Sequence, residues 1–182
     1  MYSDKKFFRR MFCFSTLVLL ASFLVVFAQD ERLAEIKYKE DYDRLQRIVP
    51  IRQPVKRAEQ LVKLYKESPD MDSRLRDYAD DFFVKDMQSL LNQHDFIALR
   101  GICNNAIAVR PKFGQAYFYL GLAYKNEQKL DEAMDNFAIS HLIKSRLQKK
   151  AKQQLDIIYR SLHNGSLIGE DKIIKKAEAE LK

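Results

Sequence analysis

The chain has 182 residues, 47% of them apolar and 31% charged, with a formal net charge of +7. That balance excludes wholesale disorder, and five Gly and four Pro are too few for a turn-rich β sandwich or a collagen-like chain. No Trp, two Cys and three His leave little material for a metal site or a disulfide framework.

Lys5, Lys6, Arg9 and Arg10 precede an uncharged run over residues 11–28, and charge returns at once with Asp30, Glu31 and Arg32. A basic front, an apolar stretch and a small residue before a polar one is the layout of a secretory signal, with cleavage expected before Gln29. Eighteen residues also rise about 27 Å as a helix, close to the thickness of a hydrocarbon core, so an uncleaved anchor is the alternative. Either way the basic front should stay cytoplasmic, and residues 29–182 should be extracytoplasmic or periplasmic. The front carries much of the positive charge, so the charge of the remainder is ordinary and implies no nucleic-acid partner. Without residues 1–28, Cys103 is the single thiol, and its place between Ile102 and Ala106 marks it as a small core hydrophobe.

Beyond Ala28 the apolar residues recur at intervals of three and four, which predicts helices throughout. Leu33, Ile36, Tyr38, Tyr42, Leu45 and Ile48 stripe a first helix that Pro50 stops. Pro54 opens a second, carrying Ala58, Leu61, Val62 and Tyr65, and Ser68-Pro69 ends it. The third follows Asp72-Ser73, with Leu75, Tyr78, Phe82, Phe83, Met87, Leu90 and Leu91, and breaks at 92–95. A fourth runs over 96–109, a fifth over 114–126 and a sixth over 130–143. Ala151, Leu155, Ile158, Tyr159 and Leu162 stripe a basic seventh, capped by Asn164-Gly165. The eighth starts near Glu170, with Ile173, Ile174, Ala177 and Leu181 inward. Short connections make neighbouring helices antiparallel, so the fold class is all-α, either a bundle or a solenoid.

Internal repetition favours the solenoid. Residues 114–147 carry Tyr117-x2-Leu120-Gly121-x2-Tyr124, then Ala133, Phe137 and Ser140. Gly121 and Ala133 are small where two helices would cross, and Tyr117, Tyr124 and Phe137 would fill the surrounding volume. Thirty-four residues upstream, Phe96, Leu99, Cys103, Ala106 and Pro111 match Leu130, Ala133, Phe137, Ser140 and Ser145. This pattern resembles the tetratricopeptide repeat, and the chain as a whole is similar to small exported bacterial proteins of that family. The resemblance implies a short right-handed superhelix of antiparallel helix pairs. It places the clearest repeat at 114–147, a degenerate one at 80–113, weak repeat-like pairs at 33–79 and capping helices at 149–182. A signal or anchor helix at 1–28 would precede this domain of residues 29–182.

No catalytic constellation emerges. His94, His141 and His163 lie apart, with no metal-ligand spacing. Neighbouring carboxylates diverge by about 100° on a helix, so Asp80-Asp81 and Glu170-Asp171 read as solvated faces and first-turn charges. The basic run from Lys144 to Lys152 reads as a solvated cap rather than a binding patch. In the resembled family the first helix of each repeat lines a concave face, which implies a partner groove at Gln115, Phe118, Leu122, Lys125 and Asn126. The chain's own capping or amino-terminal helix is the alternative occupant of that groove. The expected function is a non-catalytic scaffold that binds another protein or peptide, with no cofactor, metal, small-molecule substrate or nucleic acid. A membrane-tethered structural subunit held by residues 11–28 is the alternative, and an enzyme with an unseen site is the third.

Overall fold

The computed structural model describes residues 31–181. Among them are eight α-helices and no strand, so the fold is all-α. They are α1 (31–48), α2 (Pro54–Glu67), α3 (Ser73–Asn92), α4 (Phe96–Val109), α5 (Gly114–Asn126), α6 (Leu130–Leu142), α7 (Gln148–Leu162) and α8 (Glu170–Glu180). The chain divides into two units, one ending at Asp43 and the other beginning at Arg44.

In the first unit the described residues are the amino-terminal part of α1, where the Tyr38 and Tyr42 rings stack 6.4 Å apart. The apolar stripe expected along α1 is not a continuous buried face. Leu33 is 64% exposed and Ile36 56%, and the apolar residues of the stripe become buried only at Leu45 and Ile48. No helix among the described residues is long and apolar enough to cross a membrane. The apolar segment 11–28, and with it the signal or anchor helix, lies outside them.

In the second unit α2, α3 and α4 each have a local reason to begin. Pro54 occupies the first turn of α2, where its missing N–H costs nothing. Asp72 caps α3 by accepting from the Arg74 N–H at 2.9 Å, and Asp95 caps α4 by accepting from the Ala98 N–H at 3.0 Å. Packing then follows chain order. Helix α2 packs on α3 and α4, α3 on α4 and α5, α4 on α5, α5 on α6, and α6 on α7 and α8. Among α2–α8 the substantial contacts thus join helices one or two places apart.

The connections repeat in backbone geometry as well as in sequence. After α3, Asp95 N–H donates to Leu90 O at 3.0 Å past a left-handed His94 (φ 58°). After α5, Lys129 N–H donates to Tyr124 O at 2.9 Å past a left-handed Gln128 (φ 62°). After α7, Gly165 N–H donates to Arg160 O at 2.8 Å past a left-handed Asn164 (φ 51°). Each is the same helix-ending turn, in which a left-handed residue lets an N–H reach back five positions. The even-numbered helices α2 and α4 end alike. Ser68 (φ −129°, ψ 68°) and Arg110 (φ −137°, ψ 80°) both precede a proline, which expels them from helical space. Three residues on, Met71 and Phe113 return to the core, each 2% exposed.

Packing between α5 and α6 carries the tightest contact. A Cβ placed on Gly121 would come within 2.9 Å of the Phe137 ring, which is fully buried. Ala133 is equally buried, and the Ser140 hydroxyl donates to Gly114 O at 2.8 Å at the other end of the pair. Cys103 is buried as a core hydrophobe, and burial pushes its thiol far above the usual range.

Candidate functional site

Helix α5 has neighbours on several sides, because α3, α4 and α6 all pack on it. Two further contacts involve the segment after α6. Arg146, in the turn before α7, pairs with Asp81 of α3 at 3.5 Å. Lys125 Nζ donates to the Gln154 side chain of α7 at 2.7 Å. The face of α5 expected to meet a partner is thus a strip with α3 packed beside α5 and α7 tied to its Lys125.

Within that strip the expected groove residues separate. Gln115 and Leu122 are half-buried and present part of their surface. Phe118 is 7% exposed and lies against Phe137 and Tyr119, with ring centroids 5.7 Å away in each case. It is a packing residue, which corrects the expectation of an accessible anchor. Lys125 is held by Gln154, and the Asn126 amide is exposed but donates to Leu122 O at 2.8 Å, closing its own helix end. A contiguous rim of unengaged polar groups is thus not formed.

The expected packing set separates too. Leu120, Gly121, Ala133 and Phe137 are buried at the α5–α6 crossing. Tyr117 is half-buried instead, and burial, reinforced by the charge of Glu180, raises its phenol above the usual value. Tyr124 is also half-buried, with the Arg100 guanidinium 5.7 Å and the Lys129 ammonium 5.9 Å from its ring centroid. Both cations share Glu127, which Lys129 reaches at 3.1 Å. Aromatic, cation and carboxylate together stitch α4 to the end of α5.

A buried polar network escaped the sequence reading. Asp86 of α3 has no exposed surface, and Arg57 of α2 holds it through two N–H donors, one at 2.9 Å. The same guanidinium donates to Ile51 O at 2.9 Å, tying down the α1–α2 connection. Asp80 is not the solvated carboxylate expected. It is buried, accepts from the Tyr65 hydroxyl at 2.6 Å, and pairs with Arg110 beyond the end of α4. Burial pushes both carboxyls above the usual range, with their partners only partly offsetting it. Tyr65 is raised for the same reason and by the adjacent Asp80 charge.

Glu170 likewise departs from the expected solvated role. It is buried, with Lys152 Nζ 2.7 Å from its carboxylate, and burial pushes the carboxyl up despite that cation. Lys152 also pairs with Asp156, so part of the basic run is neutralised within the fold. Among the described residues no three His, Cys, Asp or Glu side chains come together to hold a metal.

No protein-family model, curated protein or solved structure matches the chain. The functional reading therefore rests on these contacts and on the sequence pattern.

Proposed function

We propose that the chain is a non-catalytic protein-interaction module, a short stack of helical hairpins of tetratricopeptide type. It is exported across the cytoplasmic membrane through residues 11–28 and recognises another protein or peptide along α5. The observation that carries this reading is the turn after α3 that returns 34 residues later after α5, with the same hydrogen bond and the same left-handed residue. Packing restricted to helices one or two places apart supports the stack, since a solenoid unit buries its apolar face only against its neighbours. The contacts Arg146–Asp81 and Lys125–Gln154 support a row of α3, α5 and α7, with Gln115 and Leu122 half-buried on α5.

Such a strip recognises through a small apolar contact at Leu122, with Gln115 setting register by hydrogen bonding. The test is affinity capture with the full chain, comparing the native sequence with Leu122→Glu and with Ile97→Glu. Ile97 is 77% exposed and belongs to a different helix, α4, so it controls for a general change in surface polarity. A partner lost with Leu122→Glu and kept with Ile97→Glu supports the reading; a partner indifferent to both removes it.

A second reading, a membrane-tethered structural subunit, is favoured by one observation, the 18 consecutive uncharged residues at 11–28. Mass spectrometry of the mature amino terminus separates the two. A start at Gln29 indicates release, and an intact start with detergent dependence indicates a tether.

A further inference from the structure

Positive charge in the body of the chain gathers in two stretches, the run from Lys144 to Lys152 and residues 44–67. Residues 44–67 hold seven Lys and Arg against two Glu. This stretch folds back on itself, with the end of α1 against α2, and lines an open surface groove of about 350 Å³. Ile48, Ile51 and Leu64 supply apolar lining, while Arg44, Arg47 and Lys63 supply three cations and Glu67 one anion. A volume of this order is that of a small-ligand site.

Glu67 indicates what the cationic rim accepts. Its carboxylate lies 3.5 Å from Arg44 Nη1 and 3.9 Å from Lys63 Nζ, both longer than a charge-assisted hydrogen bond. All three side chains are substantially exposed, so the arrangement is loose and contributes little to stability. A phosphate diester, with its own charge and acceptor oxygens, can compete for the same two cations. Cations above an apolar floor are complementary to an amphiphile, an anionic head joined to an alkyl tail.

The geometry points to an anionic phospholipid as the ligand of this pocket, its phosphate held by Arg44 and Lys63 and its first methylenes laid against the half-buried Ile51 and the edge of Ile48. The choice of a membrane lipid over a soluble phosphate rests on the reading of residues 11–28 as a membrane-directed segment, separated from Arg44 by fifteen residues. The head-group chemistry does not depend on that reading, nor on the recognition strip along α5.

The experiment is isothermal titration calorimetry on the full chain in a neutral maltoside detergent. Its three titrants are dihexanoyl phosphatidylglycerol, dihexanoyl phosphatidylcholine and glycerol 3-phosphate. The anionic lipid should bind at least about tenfold more tightly than either other titrant, and its affinity should fall as salt is added. Lys63→Glu should weaken it about twenty-five-fold, and Glu67→Gln, which removes the competing carboxylate, should tighten it about fivefold, taking a fivefold factor per charge. Both positions are exposed, so neither change threatens the fold. Lys112→Glu with Lys144→Glu, at a separate cavity, should leave binding unchanged. Equal binding of the choline lipid shows that the head group is not read and overturns the proposal. Glycerol 3-phosphate binding as tightly shows an anion site indifferent to the tail and overturns it equally. So does an unchanged affinity in Lys63→Glu, or a loss that follows Lys112 and Lys144 instead.

Discussion

Two helical glycines make opposite demands on the same substitution. At Gly121 an added Cβ would meet two atoms of the Phe137 ring at 2.9 Å, inside any ordinary carbon contact. Phe137 has no exposed surface, so the ring has no free volume into which to swing. Overpacking of a filled core costs about 1–3 kcal/mol, while replacing Gly by Ala in a helix returns up to about 1 kcal/mol. Gly121→Ala should therefore destabilise by about 1 kcal/mol net. At Gly101, on the exposed side of α4, nothing lies within 4 Å of the added atom. Only the helix-propensity gain remains there, and Gly101→Ala should stabilise by about 0.5–1 kcal/mol. Urea unfolding of the full chain, followed by far-ultraviolet circular dichroism, gives both values as midpoint shifts at constant m. Shrinking the ring with Phe137→Leu should recover part of the Gly121→Ala loss, a coupling that a double-mutant cycle isolates. A stabilising Gly121→Ala, equal to that at Gly101, would refute the close helix crossing on which the stacking argument depends.

The remaining predictions concern the buried polar network and the corrected aromatic. Arg57→Ala leaves Asp86 buried without its cation and should cost about 3–5 kcal/mol in the same urea titration; a loss below about 1 kcal/mol contradicts the ion pair. Asp80 and Asp86 have carboxyls raised by burial, so the native state keeps their protons at pH values where the unfolded chain has lost them. Their contribution to stability is complete below the ordinary carboxylate value near pH 4 and is lost as pH rises through the elevated one. The stability of the native sequence relative to Asp86→Asn should accordingly increase between pH 7 and pH 4.5, and a difference that shrinks on acidification would reverse the sign of the shift. Phe118→Ala removes a ring packed on Phe137 and should cost about 3–5 kcal/mol of stability; a variant as stable as the native chain would return Phe118 to the recognition strip.

Helix content and helix ends were legible because each has a local cause. Pro54, Asp72, Asp95, Pro111 and Asn164-Gly165 act within a turn of where they stand, and the helices start and stop beside them. The Gly121–Phe137 crossing was legible for a related reason, since only a glycine permits so close an approach and the repeat spacing placed the ring opposite it. Accessibility on α5 was not. Its sequence is apolar on nearly every side, because α3, α4 and α6 all press on it, so periodicity could not separate Phe118 from Tyr117. The fate of acidic residues was equally hidden. Asp80 and Asp81 are neighbours of one type, yet one is buried on Tyr65 and Arg110 and the other meets Arg146 near the surface. Their partners lie fifteen or more residues away in the chain, beyond any local rule. The signal available in advance was the presence of Arg57 and Tyr65 on the face of α2 that also carries Ala58 and Leu61. Basic and hydroxyl groups on a core-facing stripe require buried acceptors. Along α1 the opposite error arose, for Leu33 and Ile36 continue an apolar pattern whose burial begins only at Leu45.

Recognition along α5 is tested most directly by placing a photoreactive amino acid at Leu122 in the full chain and irradiating it in its native cellular setting. The same residue introduced at Ile97, more exposed but on α4, serves as the comparison. The account predicts a discrete protein adduct from position 122 and none of that mass from position 97. Irradiation that yields no adduct at 122, or the same adducts from both positions, would contradict it.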